Sequence, residues 1–162
     1  MKKYLLLALA TGLAGAAQAQ ELTAKQVPAA VAATLKKTHP AAKQVKWEKE
    51  DGNYEAEFKQ GQEEMSVVFT AAGQLLETET KIRVAQLPAA VRGKLASDYA
   101  GYQVTDAAKI VTAATGATTY EAEVRKPGKK MDVIFDANGM VVKTEAGGAK
   151  GGQEVADLSE RE

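Results

Sequence analysis

Three pairs of carboxylates, each two residues apart, are the groups in this chain best placed to do chemistry: Glu55 with Glu57, Glu77 with Glu79, and Glu121 with Glu123. Residues two apart on a strand share a face, so each pair sets two carboxylates side by side. Such pairs act as general acid and base, or bind calcium. Acid–base work needs surroundings that drive the two pKa values apart, which a solvated sheet face does not supply. The polar face of an antiparallel sheet is the simpler reading, with weak divalent-ion binding as its alternative.

The remaining groups narrow the chemistry further. His39 is the only histidine and stands at the end of a helical stretch, before Pro40. A base or metal ligand needs fixed partners, and none accompanies it. With no cysteine and one histidine, the usual nucleophilic triads and zinc sites are excluded. Asp136-Ala-Asn138-Gly139 opens like a calcium loop, but its glycine comes two residues early and the distal glutamate is missing. A hairpin turn with glycine in the left-handed region accounts for it. No phosphate-binding glycine loop, nucleophile elbow or aromatic–basic nucleic-acid pattern occurs. The chain therefore offers no catalytic residue, no metal site and no cofactor site.

The elements that carry these residues are written twice. Tyr54-Glu-Ala-Glu57-Phe58, Met65-Ser-Val-Val-Phe69 and Gly73 return at one constant offset as Tyr120-Glu-Ala-Glu123-Val124, Met131-Asp-Val-Ile-Phe135 and Gly139. Pro28-Ala-Ala-Val31 and Leu35 return as Pro88-Ala-Ala-Val91 and Leu95, at an offset shorter by six, so six residues are inserted between the two blocks. Each copy opens with a helix: a first-turn proline, then apolar residues four apart at Val27, Val31 and Leu35, and at Leu87, Val91, Leu95 and Tyr99. His39 and Tyr99 close these stripes. The period then changes to two. Val45 and Trp47 share one face of a strand with Lys49, while Tyr54, Ala56 and Phe58, then Met65, Val67 and Phe69, point inward. Leu76–Ile82 forms a fourth strand. The second copy runs Val104–Thr112, Tyr120–Lys126, Lys129–Phe135 and Val141–Glu145, with its insertion in the first hairpin.

The spacing predicts an α+β fold of two tandem repeats, each one helix followed by a four-stranded antiparallel meander. The helices cover the apolar face. Edge-to-edge pairing, with the fourth strand of each repeat as the candidate, would join the two into one long sheet. Its other face is a broad exposed surface carrying Glu48, Glu55, Glu57, Lys59, Glu121, Glu123 and Arg125. Those seven residues are the expected protein-binding site.

The ends of the chain read differently. Lys2 and Lys3, the mostly apolar stretch from Tyr4 to Ala17 and the small residues at Ala17-Gln18-Ala19 form an export signal cleaved after Ala19. A membrane anchor would need about 20 apolar residues. From Ala146 onward, clustered glycines and few apolar residues cannot offset chain entropy. The organisation is thus signal peptide 1–19, repeats 20–83 and 84–145, and a disordered tail 146–162. Without Lys2 and Lys3 the chain carries 19 basic and 21 acidic residues, a net −2. That balance leaves no footprint for nucleic acid or anionic lipid.

These motifs resemble the PepSY-like family, also described as beta-lactamase-inhibitor-like. The residues that carry the resemblance are Val27-Pro-Ala-Ala-Val31, Lys46 to Phe58, and Met65-Ser-Val-Val-Phe69 with Gly73. In the second copy they are Leu87-Pro-Ala-Ala-Val91, Tyr120-Glu-Ala-Glu-Val124 and Phe135-Asp-Ala-Asn-Gly139. It spans Glu21 to Glu145. The resemblance implies a secreted or periplasmic tandem helix-plus-sheet protein without enzymatic activity, and by analogy an inhibitor that grips its target with an exposed sheet. It transfers no binding residues. The expected function is a non-enzymatic binding protein in the periplasm or outside the cell, an inhibitor or modulator of an envelope or secreted protein. The alternative is a small-ligand or divalent-metal binder. A monomer is expected, with assembly through open strand edges as the structural alternative.

Overall fold

In the computed structural model, residues 20–146 are described. The expected signal peptide, and the expected tail beyond Ala146, lie outside them.

Each helix starts behind its proline. Pro28 precedes α1 (Ala29–Thr38) and Pro88 precedes α2 (Ala89–Asp98), both with φ in the range that suits a helix entry. Just upstream, the backbone N–H of Thr23 donates to Gln26 Oε1 (2.9 Å), and that of Arg83 donates to Gln86 Oε1 (2.9 Å). Short 3₁₀ turns over Ala24–Gln26 and Val84–Gln86 result. The stripes then sink Val31, Leu35, Val91 and Leu95 into the core.

The strands are β1 (Gln20–Leu22), β2 (Lys43–Glu50), β3 (Asn53–Gln60), β4 (Glu63–Phe69), β5 (Leu75–Lys81), β6 (Gln103–Thr112), β7 (Thr118–Lys126), β8 (Lys129–Phe135) and β9 (Val141–Ala146). All are antiparallel and lie side by side in chain order. Over the described residues the fold is α+β, with two helices and one nine-stranded sheet. Nine strands replace the expected eight, because β1 pairs with β2 through Gln20↔Lys49 and Leu22↔Trp47. The same pairing recurs in the second copy as Thr80↔Lys109, so β1 stands before β2 as the end of β5 stands before β6. The expected joint through both fourth strands needs correcting as well. β5 joins β6, and β9 is left at an edge.

Register carries one face across the seam. Trp47 opposes Ala56, Ala56 opposes Val67, and Val67 opposes Thr78. Thr78 opposes Val111, and two residues from Val111 along β6 is Lys109, then Ala107, which opposes Ala122. Directly opposed residues point to the same side, so both helices cover one face. Under them lie two cores: α1 with Trp47, Ala56, Phe58, Val67 and Phe69, and α2 with Ala107, Ala122, Val124, Val133 and Phe135. Phe69 and Phe135 are fully buried, worth about 1.5–3 kcal/mol each. His39 packs against Phe58 at 5.1 Å with the rings tilted at 59°, and Tyr99 meets Phe135 edge-on at 6.4 Å.

Gly73 and Gly139 have φ of +82° and +83°, the region that favours glycine. A Cβ there would come within 2.7 Å of Ala30 O and 2.8 Å of Ala90 O. The β4–β5 and β8–β9 turns thus press against the first turn of each helix. The calcium-loop resemblance resolves into a turn, since Asp136 Oδ1 accepts from the N–H groups of Asn138 (2.9 Å) and Met140 (2.8 Å).

Candidate binding trough

The helix-free face is not flat. Bulges break the β2–β3 register between Lys43 and Lys46 and the β6–β7 register between Val104 and Asp106. Two more lie between Val68 and Phe69 and between Ile134 and Phe135. Bulges bend and over-twist a strand, and here they occur at matching places in both halves. The face curls into a trough in which Lys46 of β2 and Glu145 of β9 line one cavity of about 600 Å³. A second cavity of about 690 Å³ continues it toward the β2–β3 and β6–β7 hairpins.

The two ends differ in charge. Lys46, Lys59, Lys81 and Lys130 stand among the carboxylates of the first cavity. Lys59 pairs with Glu64 (3.3 Å), and Lys81 reaches Glu64 (3.8 Å) and Asp106 (2.6 Å), so charges alternate across β3, β4, β5 and β6. The hydrogen bond to Asp106 raises the Lys81 pKa, overcoming the opposing pull of burial. Among the described residues lining the second cavity, Lys143 is the one basic residue. It faces Glu50, Glu55, Glu77, Glu79, Glu121 and Glu145 over a floor that includes Val68, Ile110 and Ile134. Burial raises the Glu50 pKa, and the negative charges of Asp51, Glu55, Glu48 and Glu145 add to it. That a β9 carboxylate acts on a β2 carboxylate again reflects the curl.

Of the seven residues expected on this face, five line the trough: Glu55, Glu57, Lys59, Glu121 and Glu123. Glu55 accepts a very short hydrogen bond from Ser66 Oγ. Glu57 lies opposite Lys46 and Ser66. Glu121 lies between Ala108 and Ile134 and borders both cavities. Glu123 is largely enclosed, with its side chain 16 % exposed. Burial works to raise its pKa, but Lys130, Thr105 and Arg125 donate to it and bring it down to about 2. Glu48 opposes Glu55 on the same face, and Arg125 binds Glu123 at 2.8 Å, yet neither lines a cavity.

Sequence reasoning passed over Lys81, Asp106 and Glu145, and all of the apolar floor. A signal for the floor existed: Val68 and Ile134 each follow an inward apolar residue, so they are apolar at outward positions. Among the described residues no three of His, Asp or Glu converge to hold a metal ion, and no helix is long and apolar enough to cross a membrane.

The family described as "Putative beta-lactamase-inhibitor-like, PepSY-like" matches the chain over residues 16–77 and 53–143. The sheet and helices are also those of solved Bacteroides structures. A protein of Bacteroides eggerthii described as a "putative periplasmic" protein is 23 % identical with TM-score 0.67, covering 74 % of this chain and 88 % of its own. A DUF2874-family protein of Bacteroides uniformis is 24 % identical with TM-score 0.66 over the same shares. A BLIP-like protein of Bacteroides fragilis is 27 % identical with TM-score 0.61, covering 78 % of this chain and 90 % of its own. No curated protein matches. The first family match covers the first helix and meander, the second runs from β3 to β9, and together they span nearly all of the described fold, so the chain belongs to the PepSY-like, beta-lactamase-inhibitor-like family.

Proposed function

We propose that this chain is a non-enzymatic binding protein of the periplasm or cell exterior that receives part of another protein in its trough, as an inhibitor or modulator. The observation that carries this reading is the second cavity, where an apolar floor lies beneath a wall of carboxylates with Lys143 among them. Such a site suits long basic side chains, whose aliphatic stems cover apolar surface while their charged ends meet carboxylates. The inhibitor-like family description and the BLIP-like relative support it, as does the periplasmic description of one structural neighbour. The partner therefore presents a Lys- or Arg-bearing loop.

The test is affinity capture from the host's envelope and secreted fractions, with residues 20–162 as bait beside a variant carrying Glu79→Lys and Glu121→Lys. Glu123 is left intact because its ion pairs belong to the fold. A protein held by the wild type, lost from the variant and released between about 0.05 and 0.5 M salt is the expected result. Equal capture by both baits rejects the trough as the site.

A further inference from the structure

Among the described residues the sheet ends at β1 on one side and β9 on the other, and the two edges are unlike. β1 is three residues long, whereas β9 has six. At the start of β9 lie the large hydrophobic side chains that are exposed among the described residues: Met140 (65 %), Val141 (37 %) and Val142 (44 %). By the offset between the two copies β9 is the counterpart of β5, and in β5 the corresponding edge is covered by β6. An open edge of this length is a template for another strand.

We propose that the β9 edge pairs antiparallel with β9 of a second copy of this chain, about a twofold axis through Thr144. In that register Lys143 of each copy opposes Glu145 of the other, because 143 and 145 are equidistant from 144. Val142 opposes Ala146, and Thr144 opposes its own symmetry mate. Lys143 lies opposite Ile134 and Glu145 opposite Asp132 within one copy, so both side chains are on the concave face. Lys143 and Glu145 already form an ion pair along their strand. Pairing two copies turns two such pairs into a square of alternating charge. Moving the axis by one residue, onto 143 or 145, sets Lys143 against Lys143 or Glu145 against Glu145, so the charges select one register.

Head-to-tail pairing of β9 with β2, the arrangement β5 and β6 use, is disfavoured on the same grounds. Copying their register would place Glu145 against Glu50 and Ala146 against Lys49. The second of these is already held by Gln20 of β1. The isologous pair closes on itself and leaves the concave faces of both copies on the same side of the joined sheet. None of this depends on what the trough binds.

The chain lacks cysteine, so a single introduced thiol has only its symmetry mate to bond. Directly opposed residues on antiparallel strands stand about 4.5–5.5 Å apart at Cα, inside the range a disulfide spans. Residues 20–162 carrying Thr144→Cys should form a covalent dimer under mild oxidation at micromolar concentration. The rate should be at least roughly tenfold that of Val142→Cys or Ala146→Cys, whose symmetry mates are about 13 Å apart along the strand. Mixing those two variants should restore fast cross-linking. Adding Lys143→Glu to Thr144→Cys should abolish the dimer, and adding Glu145→Lys as well should bring it back. Equal rates at all three positions overturn the proposal. So does a Thr144→Cys chain that melts like the wild type yet does not cross-link, or a dimer indifferent to the charge exchange.

Discussion

Glu123 shows how much a single carboxylate on the helix-free face can contribute to the fold. Lys130 and Arg125 lie at 2.5 and 2.8 Å from its carboxylate, and its pKa falls from 4.5 to about 2 despite burial. A carboxyl whose folded pKa lies below its unfolded one stabilises the fold fully above the unfolded value. That contribution is lost as the pH drops through the folded value. The window here is about pH 5 to 2, and the full contribution is on the order of 3 kcal/mol. Glu123→Gln should therefore lower stability in urea at pH 6 by a large part of that amount, and by progressively less as the pH falls toward 2. A difference that stays constant across the range would show the carboxylate to be unlinked to folding. This role was not legible in the sequence. The period of two placed Glu123 on the polar face correctly, but its donors come from three strands, and only the register brings Thr105 and Lys130 beside it. The sequence does not reveal the helix backbone packed against Gly73 and Gly139, because that contact joins segments far apart along the chain.

The helices and eight of the strands were legible because each is long enough for its period to show. β1 was not, since three residues carry no period. Its place emerges only when Gln20–Leu22 is set against Thr80–Ile82 and the two pairings match. The correspondence between halves also exposes a weakness in one element. α2 carries Gly93 where α1 carries Ala33. Gly93 is exposed in mid-helix, and a Cβ there would meet nothing within 4 Å. Glycine in a helix interior costs about 0.8–1 kcal/mol relative to alanine. Gly93→Ala should accordingly stabilise the chain by about 1 kcal/mol and raise its melting temperature by a few degrees, measured by calorimetry. A neutral or destabilising outcome would show that Gly93 does not weaken α2.

On the scale of the whole molecule, two cores share one sheet and are joined at the β5–β6 seam. Curvature escaped the sequence reading because bulges, rather than composition, set it, and a two-residue period does not reveal where the register slips. The seam decides whether the halves fold as one unit. It has five register pairs from Glu77↔Thr112 to Lys81↔Ala108, and backbone bonds from Ile82 N–H to Ala107 O (2.9 Å) and from Ala113 N–H to Leu76 O (2.7 Å) extend it. Those bonds are as regular as the ones inside either half, whereas the Lys81–Asp106 pair is about half exposed and adds little. Breaking the seam would also bare two strand edges and the apolar floor at Ile110, which is 8 % exposed. Opening one half should then cost more than unfolding both together. Trp47, the only tryptophan, lies in the first core, so its fluorescence reports that half while far-ultraviolet dichroism reports both. Val133→Ala, in the second core at a fully buried position, should cost roughly 2–3 kcal/mol. If the seam couples the halves, the tryptophan and dichroism transitions in urea will shift together by that amount. A tryptophan transition that stays at its wild-type midpoint while the dichroism divides into two steps would make the protein two independent folding units with a shared strand order, and the trough would then be a site whose two ends can open separately.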